Sequence, residues 1–262
     1  MKIDGDISAN VEKIVKKLAT SGFEVAIVGG AVRQMLAHHK ITDWDLTTGA
    51  KPEEIQKLFT KSFYNNRFGT VGVPIVDGQI VQITTYRTEE KYTDKRHPDV
   101  IVWGKSLEED LKRRDFTINA MALKYQKSNI KNQNFVLIDP FDGQKNFKDR
   151  LIKAVGEADK RFTEDALRLL RAVRFATVLN FSIEEKTQTA IKKNAGMLSE
   201  ISGERIRDEL FKITDHDNAA DGILLLKDLG LLSIILPELE ICFSVEQKSP
   251  KRQLQYYIDH IQ

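Results

Sequence analysis

Two aspartates separated by one residue are the first candidates for chemistry in this sequence. Asp43 and Asp45 flank Trp44 in DWDLTT (43–48), a segment that predicts a β-strand. Side chains two residues apart on a strand point to the same face, so the carboxylates would lie side by side. Adjacent carboxylates repel each other unless a cation lies between them, and Mg²⁺ prefers such ligands where phosphates also bind. The pair indicates a metal site, although two solvated aspartates at a strand end give the same pattern.

A double glycine precedes this pair. The predicted strand EVAIV (24–28) runs into Gly29 and Gly30, and a predicted helix follows. Glycines let backbone N–H groups approach a phosphate, and the start of a helix adds partial positive charge. Arg33 would lie on the first turn of that helix, within reach of a triphosphate oxygen. The pattern is neither a Walker A motif nor G-x-G-x-x-G, and a simple tight turn also explains it.

Together, the two features indicate a specific chemistry. A phosphate-binding turn and a carboxylate pair on the next strand would place a triphosphate and metal ions at one end of one sheet. In two-metal nucleotidyl transfer, one ion activates the attacking 3′-hydroxyl, and the other holds the triphosphate and the leaving pyrophosphate. We therefore expect two Mg²⁺ ions at Asp43 and Asp45.

A segment in the second half of the chain concentrates charge on one predicted helix face. TEDALRLLRAVRFATVL (163–179) has a helical period, and Thr163 is the predicted N-cap. The predicted polar face carries Glu164, Asp165, Arg168, Arg171 and Arg174, and the apolar face carries Ala166, Leu169, Leu170, Val173 and Ala176. A solvated helix face with i,i+4 ion pairs has the same appearance.

The elements that would position these residues predict an α+β fold. Candidate strands span 24–28, 43–48, 70–76 and 80–86, and candidate helices span 9–19, 31–38, 52–59 and 106–112. Asp77-Gly78 predicts a two-residue hairpin turn. From Phe162 onward strand signals are absent, and 184–198 and 203–215 also predict helices. The polar stretch 87–106 predicts a mobile functional loop, and the turn-rich segment 139–143 predicts the junction.

Bulk composition is consistent with a cytoplasmic protein. The 262 residues are 41% hydrophobic, enough for a real core, and carry a net charge of +2. The single cysteine, Cys242, excludes an internal disulfide and indicates a reducing compartment. The N-terminal segment has no apolar region typical of a signal peptide. The most apolar stretch, 222–236, is too short to span a bilayer and contains Lys227 and Asp228, so we expect no membrane association.

Seven segments stand out in order along the chain: GGAVR (29–33), DWDLTT (43–48), RFGTVGV (67–73), ITTYRTE (83–89), SLEEDLKRRDFTINAMAL (106–123), DPFDG (139–143) and EDALRLLRAVRF (164–175). Together they resemble the motifs of one enzyme family, the class II (bacterial and eukaryotic) CCA-adding tRNA nucleotidyltransferases. The resemblance implies a polymerase-β-type nucleotidyltransferase head with a small mixed sheet over 1–138. It further implies an all-α neck over 139–215 and a partial body over 216–262.

The resemblance also implies roles for individual residues. It makes Asp43 and Asp45 the magnesium ligands and implies nucleotide binding by Gly29, Gly30, Arg33, Arg114, Asp165, Arg168, Arg171 and Arg174. Within this set Asp165 and Arg168 would read the incoming base, and Glu164 would orient them. A carboxylate accepts from the exocyclic amine of cytosine or adenine while a guanidinium donates to the ring nitrogen. Uracil and guanine would face like partners there.

The implied function is template-independent addition of CTP and ATP to the 3′ end of tRNA, with no obligatory protein partner. A dedicated A-adding enzyme, a poly(A) polymerase and a non-catalytic RNA-binding module are the alternatives. The segment between Arg87 and Arg113 contains 25 residues, which disfavours a CC-adding enzyme because those have a shortened loop.

The sequence departs from the family pattern in three places. Gln34 stands where relatives usually carry aspartate, and Gln82 stands where many carry glutamate. If that glutamate is a third acidic partner, this chain relies on two carboxylates. The body looks incomplete, and the family's tail is absent.

Overall fold

The structure, a computed structural model, describes residues 7–64, 69–76, 78–89, 101–104, 106–127 and 134–245. These residues belong to two compact units, and the boundary lies between Lys148 and Asp149. No helix in the described ranges is long and apolar enough to cross a membrane.

The first unit is built on a mixed sheet. Its elements are α1 (Ala9–Thr20), β1 (Val25–Val28), α2 (Gly30–Leu36), β2 (Trp44–Thr48), α3 (Pro52–Leu58), β3 (Phe63–Tyr64), β4 (Thr70–Pro74), β5 (Ile80–Thr85), β6 (Arg87–Glu89), β7 (Ile101–Trp103), α4 (Leu107–Lys112), β8 (Ala122–Tyr125), β9 (Phe135–Ile138) and α5 (Gly143–Lys148). The sheet has the order β3-β4-β5-β2-β1-β8-β9, and β6 pairs with β7 separately. Strands β2 and β5 are parallel, and the other neighbours in this sheet are antiparallel.

The core of this unit follows from the apolar pattern of its elements. All four residues of β1 are buried, as expected for a central strand covered on both faces. Helix α1 buries Val11, Ile14, Val15 and Leu18, whose helical spacing forms one apolar stripe. Full burial of such a side chain contributes roughly 1.5–3 kcal/mol. The core therefore fixes β1 and β2, which carry the candidate residues at their ends.

The structure confirms the α+β fold and the eight predicted elements of this unit to within two residues at each end. One detail differs. The Ile75 N–H donates to the Gln79 carbonyl (2.9 Å), which leaves three residues between the paired positions where the sequence predicts a two-residue turn. Gly78 has φ +74°, the conformation that closes a three-residue hairpin loop, whereas Asp77 lies outside the described residues.

The second unit is mostly helical. Its elements are β10 (Leu151–Ile152), α6 (Ala158–Glu164), α7 (Leu167–Leu179), β11 (Ser182–Ile183), α8 (Glu185–Asn194), a 3₁₀ helix (Ala195–Glu200), α9 (Gly203–Thr214), α10 (Ala219–Asp228), α11 (Leu232–Ile235) and α12 (Pro237–Cys242). Helix α7 is central and packs against α9 and α10. The prediction of no strand beyond Phe162 is wrong at Ser182–Ile183, because a two-residue strand is too short to leave a periodic signal.

The prediction of one helix over 163–179 is also wrong. Helix α6 ends at Glu164, and Asp165 is extended (φ −152°, ψ 104°), with its Oδ1 accepting from the Leu167 N–H (3.1 Å). Aspartate competes for backbone donors in this way, and therefore favours a helix start over a helix interior. Thr163 is not an N-cap, since its hydroxyl donates to the Lys160 carbonyl inside α6 (3.0 Å).

The predicted two-faced helix is wrong as a consequence. Glu164 and Asp165 do not belong to α7, and Arg168 and Phe175 are buried with the apolar residues. Only Arg171 and Arg174 of the predicted polar face are partly exposed along α7.

The close packing of α7 and α10 gives a stability prediction. A Cβ on Gly222 of α10 would lie 2.5 Å from Ile213 Cγ2 and 2.7 Å from Thr177 Oγ1, so Gly222→Ala forces the helices apart. We expect a loss of about 1–3 kcal/mol in the free energy of unfolding, although alanine favours helix more than glycine does.

Urea denaturation measures this change, and Gly203→Ala is the matched control. A Cβ there meets no atom within 4 Å, so stability should stay the same or rise slightly. Equal stability of Gly222→Ala and the parent chain would contradict the packing argument.

Candidate active site

The glycine turn and the carboxylate pair lie at one end of the sheet. Strands β1 and β2 are antiparallel with Val28 opposite Asp45, so the residue after Val28 lies beside the start of β2. A Cβ built on Gly29 would lie 3.5 Å from Asp45 Oδ2. Trp44 is buried, whereas Asp43 is exposed and Asp45 half-buried, as alternation along a strand requires. The structure therefore brings together the residues for which we predicted metal and phosphate binding.

The electrostatics of Asp45 fit a metal ligand. Burial raises the pKa of the Asp45 carboxyl above its usual range, the charge of Arg114 opposes that shift, and the charge of Asp43 adds to it. A carboxylate in this position becomes more stable when a cation binds beside it. The residues present therefore fit a divalent metal ion.

Gln34 supports the other carboxylate. The Asp43 Oδ2 atom accepts a hydrogen bond from the Thr42 hydroxyl (3.2 Å). Gln34 in α2 bonds Thr42 twice, from its Nε2 to the hydroxyl (3.2 Å) and from the Thr42 N–H to its Oε1 (3.4 Å). Gln34 therefore ties α2 to the segment that carries Asp43.

Two arginines approach the glycine turn, where we predict that phosphate binds. Gly29 has φ +68°, a conformation that favours glycine. Arg33 in α2 donates to Asn119, which in turn donates from Nδ2 to Asp115 Oδ1 (3.0 Å). The same Gly29 Cβ would lie 3.6 Å from Arg114 Nη1, which places a second guanidinium next to Asp45. Positive charge therefore gathers where a triphosphate would lie against the backbone.

In the second unit, the predicted base-reading residues have separate partners. Asp165 pairs with Arg205 of α9, whose Nη2 lies 3.2 Å and 2.9 Å from the two carboxylate oxygens. Arg168 donates to Glu164 (2.8 Å) and to the Arg161 carbonyl (3.0 Å). Glu164 contacts Arg168 and also pairs with Arg161, and its role in orienting the base-reading pair stays a prediction.

The two remaining arginines of α7 lie at an aromatic ring. The guanidinium groups of Arg171 and Arg174 lie 5.3 Å and 4.3 Å from the centroid of the Phe175 ring. Arg174 also pairs with the buried Glu209 of α9 (3.0 Å). Their nucleotide contacts remain predictions.

The sequence reasoning missed several residues that hold these groups. The motif SLEEDLKRRDFTINAMAL contains Asp110, Asp115 and Asn119, but its pattern predicts no role for them. The segment 203–215, which contains Arg205 and Glu209, predicts only a helix. The spacing of Asp110 to Arg113 and Arg114, three and four residues, was a usable signal for helical ion pairs. Nothing in the sequence pairs α9 with Asp165.

The predicted mobile loop is only partly described. Residues 90–100 and 105 lie outside the described residues, as do Arg67 and Phe68 of the RFGTVGV motif. The ends of the loop are β6 and β7, an antiparallel pair with Arg87 opposite Trp103.

Gln82 lies where a third carboxylate could join Asp43 and Asp45 as a metal ligand. In the parallel register of β2 and β5 it is opposite Asp45, so the two side chains share a face. Among the described residues, no group of three or more acidic, histidine or cysteine side chains could hold a metal ion.

Gln82→Glu should therefore raise the affinity for Mn²⁺, because a third carboxylate increases the negative charge beside Asp45. We expect a gain of roughly fivefold, on the scale of one cross-strand charge interaction of about 1 kcal/mol. Titration followed by the electron paramagnetic resonance of free Mn²⁺ measures it, with Gln79→Glu in the hairpin as the control. Equal affinities in all three proteins would mean that Gln82 does not face the pair.

Comparison with known proteins identifies families whose sequences match parts of this chain. Residues 25–153 match the family described as "Poly A polymerase head domain", and residues 180–242 match "Probable RNA and SrmB-binding site of polymerase A". The first match contains the carboxylate pair and the glycine turn.

Individual proteins also match most of this chain in sequence or in structure. A CCA-adding enzyme of Lactobacillus helveticus is 45% identical over 223 residues, which cover 84% of this chain and 54% of that protein. The crystal structure of the Bacillus stearothermophilus CCA-adding enzyme in complex with CTP has a TM-score of 0.75 at 38% identity, covering 85% of this chain and 52% of that one. The Thermotoga maritima CCA-adding enzyme complexed with tRNA has a TM-score of 0.72 at 26% identity, covering 95% and 56%.

The chain spans about half the length of the curated relatives that it matches. Its matched half carries the head fold with its carboxylate pair and the helical region that follows. On these matches, the chain belongs to the class II family of CCA-adding tRNA nucleotidyltransferases.

Proposed function

We propose that this chain adds CMP and AMP, from CTP and ATP, to the 3′ end of tRNA without a nucleic-acid template and releases pyrophosphate. The observation that carries the proposal is the convergence of Asp45, Gly29 and Arg114 at one end of the sheet, with Asp43 beside them. Family relatives with CTP and with tRNA bound support the choice of substrates. A cytoplasmic location and a head–neck–body division at 138 and 215 belong to the same proposal.

Asp43 and Asp45 would hold two Mg²⁺ ions. When bound, the ions supply Lewis acidity toward the attacking 3′-hydroxyl and the triphosphate. The protein contributes position and charge. Arg33, aligned by Asn119, and Arg114 would bind the triphosphate, and the Gly29 backbone allows it to approach β1 closely.

Asp165 and Arg168 would select the base. A carboxylate that accepts from an exocyclic amine and a guanidinium that donates to a ring nitrogen match cytosine and adenine. Arg205 and Glu164 fix the two side chains, so the pair is already ordered before a nucleotide binds. Order of this kind strengthens the rejection of uracil and guanine, because a mismatched base cannot easily displace the donors and acceptors.

The function is tested with three tRNAs that end before CCA, after the first C and after CC, each incubated with Mg²⁺ and single nucleotides. The proposal predicts C addition to the first two and A addition only to the third. Addition of A alone would identify a dedicated A-adding enzyme, long A tails a poly(A) polymerase, and no addition an RNA-binding module.

Removing a metal ligand should abolish transfer. We expect Asp43→Ala and Asp45→Ala to lower the rate of incorporation about a thousandfold or more while tRNA binding persists, because several kcal/mol of transition-state stabilisation are lost. Single-turnover incorporation of labelled nucleotide measures the rate, with the exposed Asp221→Ala as control. A variant that kept a tenth of the parental rate would exclude that aspartate as a metal ligand.

Removing the base-reading carboxylate should relax selection. In Asp165→Ala, the ratio of kcat/KM for CTP to that for UTP should fall roughly tenfold or more, since a buried hydrogen bond to a charged group contributes about 1.5–3 kcal/mol. Asp159→Ala in the preceding helix is the control. An unchanged ratio would show that another group reads the base.

A further inference from the structure

Asp110 is a fully buried carboxylate to which the proposed mechanism gives no role. It lies in α4, and its side chain has no exposed surface. Its Oδ1 accepts from Arg113 Nε (3.0 Å) and Nη2 (2.7 Å), and its Oδ2 accepts from Arg114 Nη2 (3.1 Å). Burial alone would raise the pKa of Asp110, but the charges of both arginines and their hydrogen bonds lower it overall. Asp110 is therefore an ionised anchor for two arginines.

The two arginines differ in what else lies near them. The Nη2 atom of Arg114 is bound to Asp110, and its Nη1 lies beside Gly29, close to the point that Asp45 Oδ2 also approaches. One edge of this guanidinium is therefore held, and the other faces the end of the sheet that carries the carboxylate pair. No comparable approach to Gly29 is made by Arg113 in the described residues.

Arg114 also has a competing partner. Arg114 Nη1 and Asp45 Oδ2 would lie 3.6 Å and 3.5 Å from the same Gly29 Cβ, so the guanidinium and the carboxylate are close neighbours. A guanidinium that turned fully onto that carboxylate would form a strong charge-assisted pair. Such a pair would occupy the oxygen that a metal ion needs. The buried Asp110 carboxylate keeps Arg114 from pairing with Asp45, because it accepts a hydrogen bond from Arg114 Nη2 itself.

The position of Asp110 is fixed by the start of α4. The Ser106 hydroxyl accepts from the Glu109 N–H (3.3 Å) and caps the helix. The Leu107 N–H bonds the carboxylate of Glu24, which also accepts from the buried Tyr86 hydroxyl (2.8 Å). Because Glu24 directly precedes β1, helix α4 is tied to the strand that leads into Gly29.

We propose that Asp110 is a positioning residue for nucleotide binding. It holds Arg114 by one edge, so that Nη1 faces the triphosphate and Asp45 stays available to a metal ion. The inference rests on the proposed function, and it adds a specific task for a residue that does not touch the nucleotide.

The test is Asp110→Asn, which keeps the shape and removes the charge. Calorimetric titration with ATP and Mg²⁺, in the absence of tRNA, should show an affinity about tenfold lower, as expected when a charged hydrogen bond no longer orders a ligand. The Mg²⁺ concentration for half-maximal transfer should rise as well. The kcat at saturating nucleotide and Mg²⁺ should change less than threefold, a split that general loss of structure would not produce.

Two controls separate Arg114 from the rest of α4. Arg113→Gln leaves the Asp110–Arg114 pair in place, and Glu108→Gln changes an exposed carboxylate of the same helix, so both should bind ATP within twofold of the parent chain. A loss in Arg113→Gln as large as in Asp110→Asn would contradict the inference.

A second variant covers the case in which Asp110→Asn does not fold. Asp110→Asn combined with Arg113→Gln removes one charge of each sign, so the net charge of the cluster is unchanged, and it should show the same loss of ATP affinity. Parental ATP affinity in either folded variant would overturn the inference. Failure of both to give a cooperative thermal transition would also overturn it, because Asp110 would then serve folding. Failure of the parent chain to bind ATP would instead overturn the proposed function.

Discussion

The negative charge of Asp45 at the start of β2 is the constraint on which the site in the first unit depends, because burial and the neighbouring Asp43 both disfavour that charge. The antiparallel register of β1 and β2 places Gly29 next to Asp45, and the Arg114 guanidinium approaches the same glycine. Arginine charge opposes the effect of burial and of Asp43 on the pKa of Asp45. The same positive charge suits a triphosphate, so one electrostatic requirement serves both metal and nucleotide.

In the second unit, charged side chains that are withdrawn from solvent are stabilised by ion pairs. Arg168 and Arg174 project from a helix whose surroundings are apolar, and each is matched by a carboxylate, Glu164 and Glu209 respectively. Breaking one partner of such a pair typically costs 3–5 kcal/mol, so these side chains have little freedom to change conformation. The break between α6 and α7 belongs to the same arrangement, because it turns Asp165 out of the helix and toward Arg205.

Most of the fold could be predicted from the sequence, and so could the proximity of the glycine turn to the carboxylate pair. The strands could be found because β1 is an apolar run that ends at Gly29, and β2, which follows Asp43, is rich in residues that favour strands. These local signals do not depend on tertiary contacts. The break at Asp165 could not, because the helical period continues through it, and the extended backbone of Asp165 and its side-chain hydrogen bond to Leu167 leave no periodic signal. The roles of Asp110 and Arg205 depend on which groups meet in space, and a single sequence does not record that.

The central claim is that Asp43 and Asp45 together hold the metal ions that act on the triphosphate. It is tested most directly by counting bound Mn²⁺ by electron paramagnetic resonance in the presence of a non-hydrolysable CTP analogue. The account predicts two tightly bound ions per chain in the parent protein and none in the double variant Asp43→Ala with Asp45→Ala. Two ions retained by the double variant would contradict it.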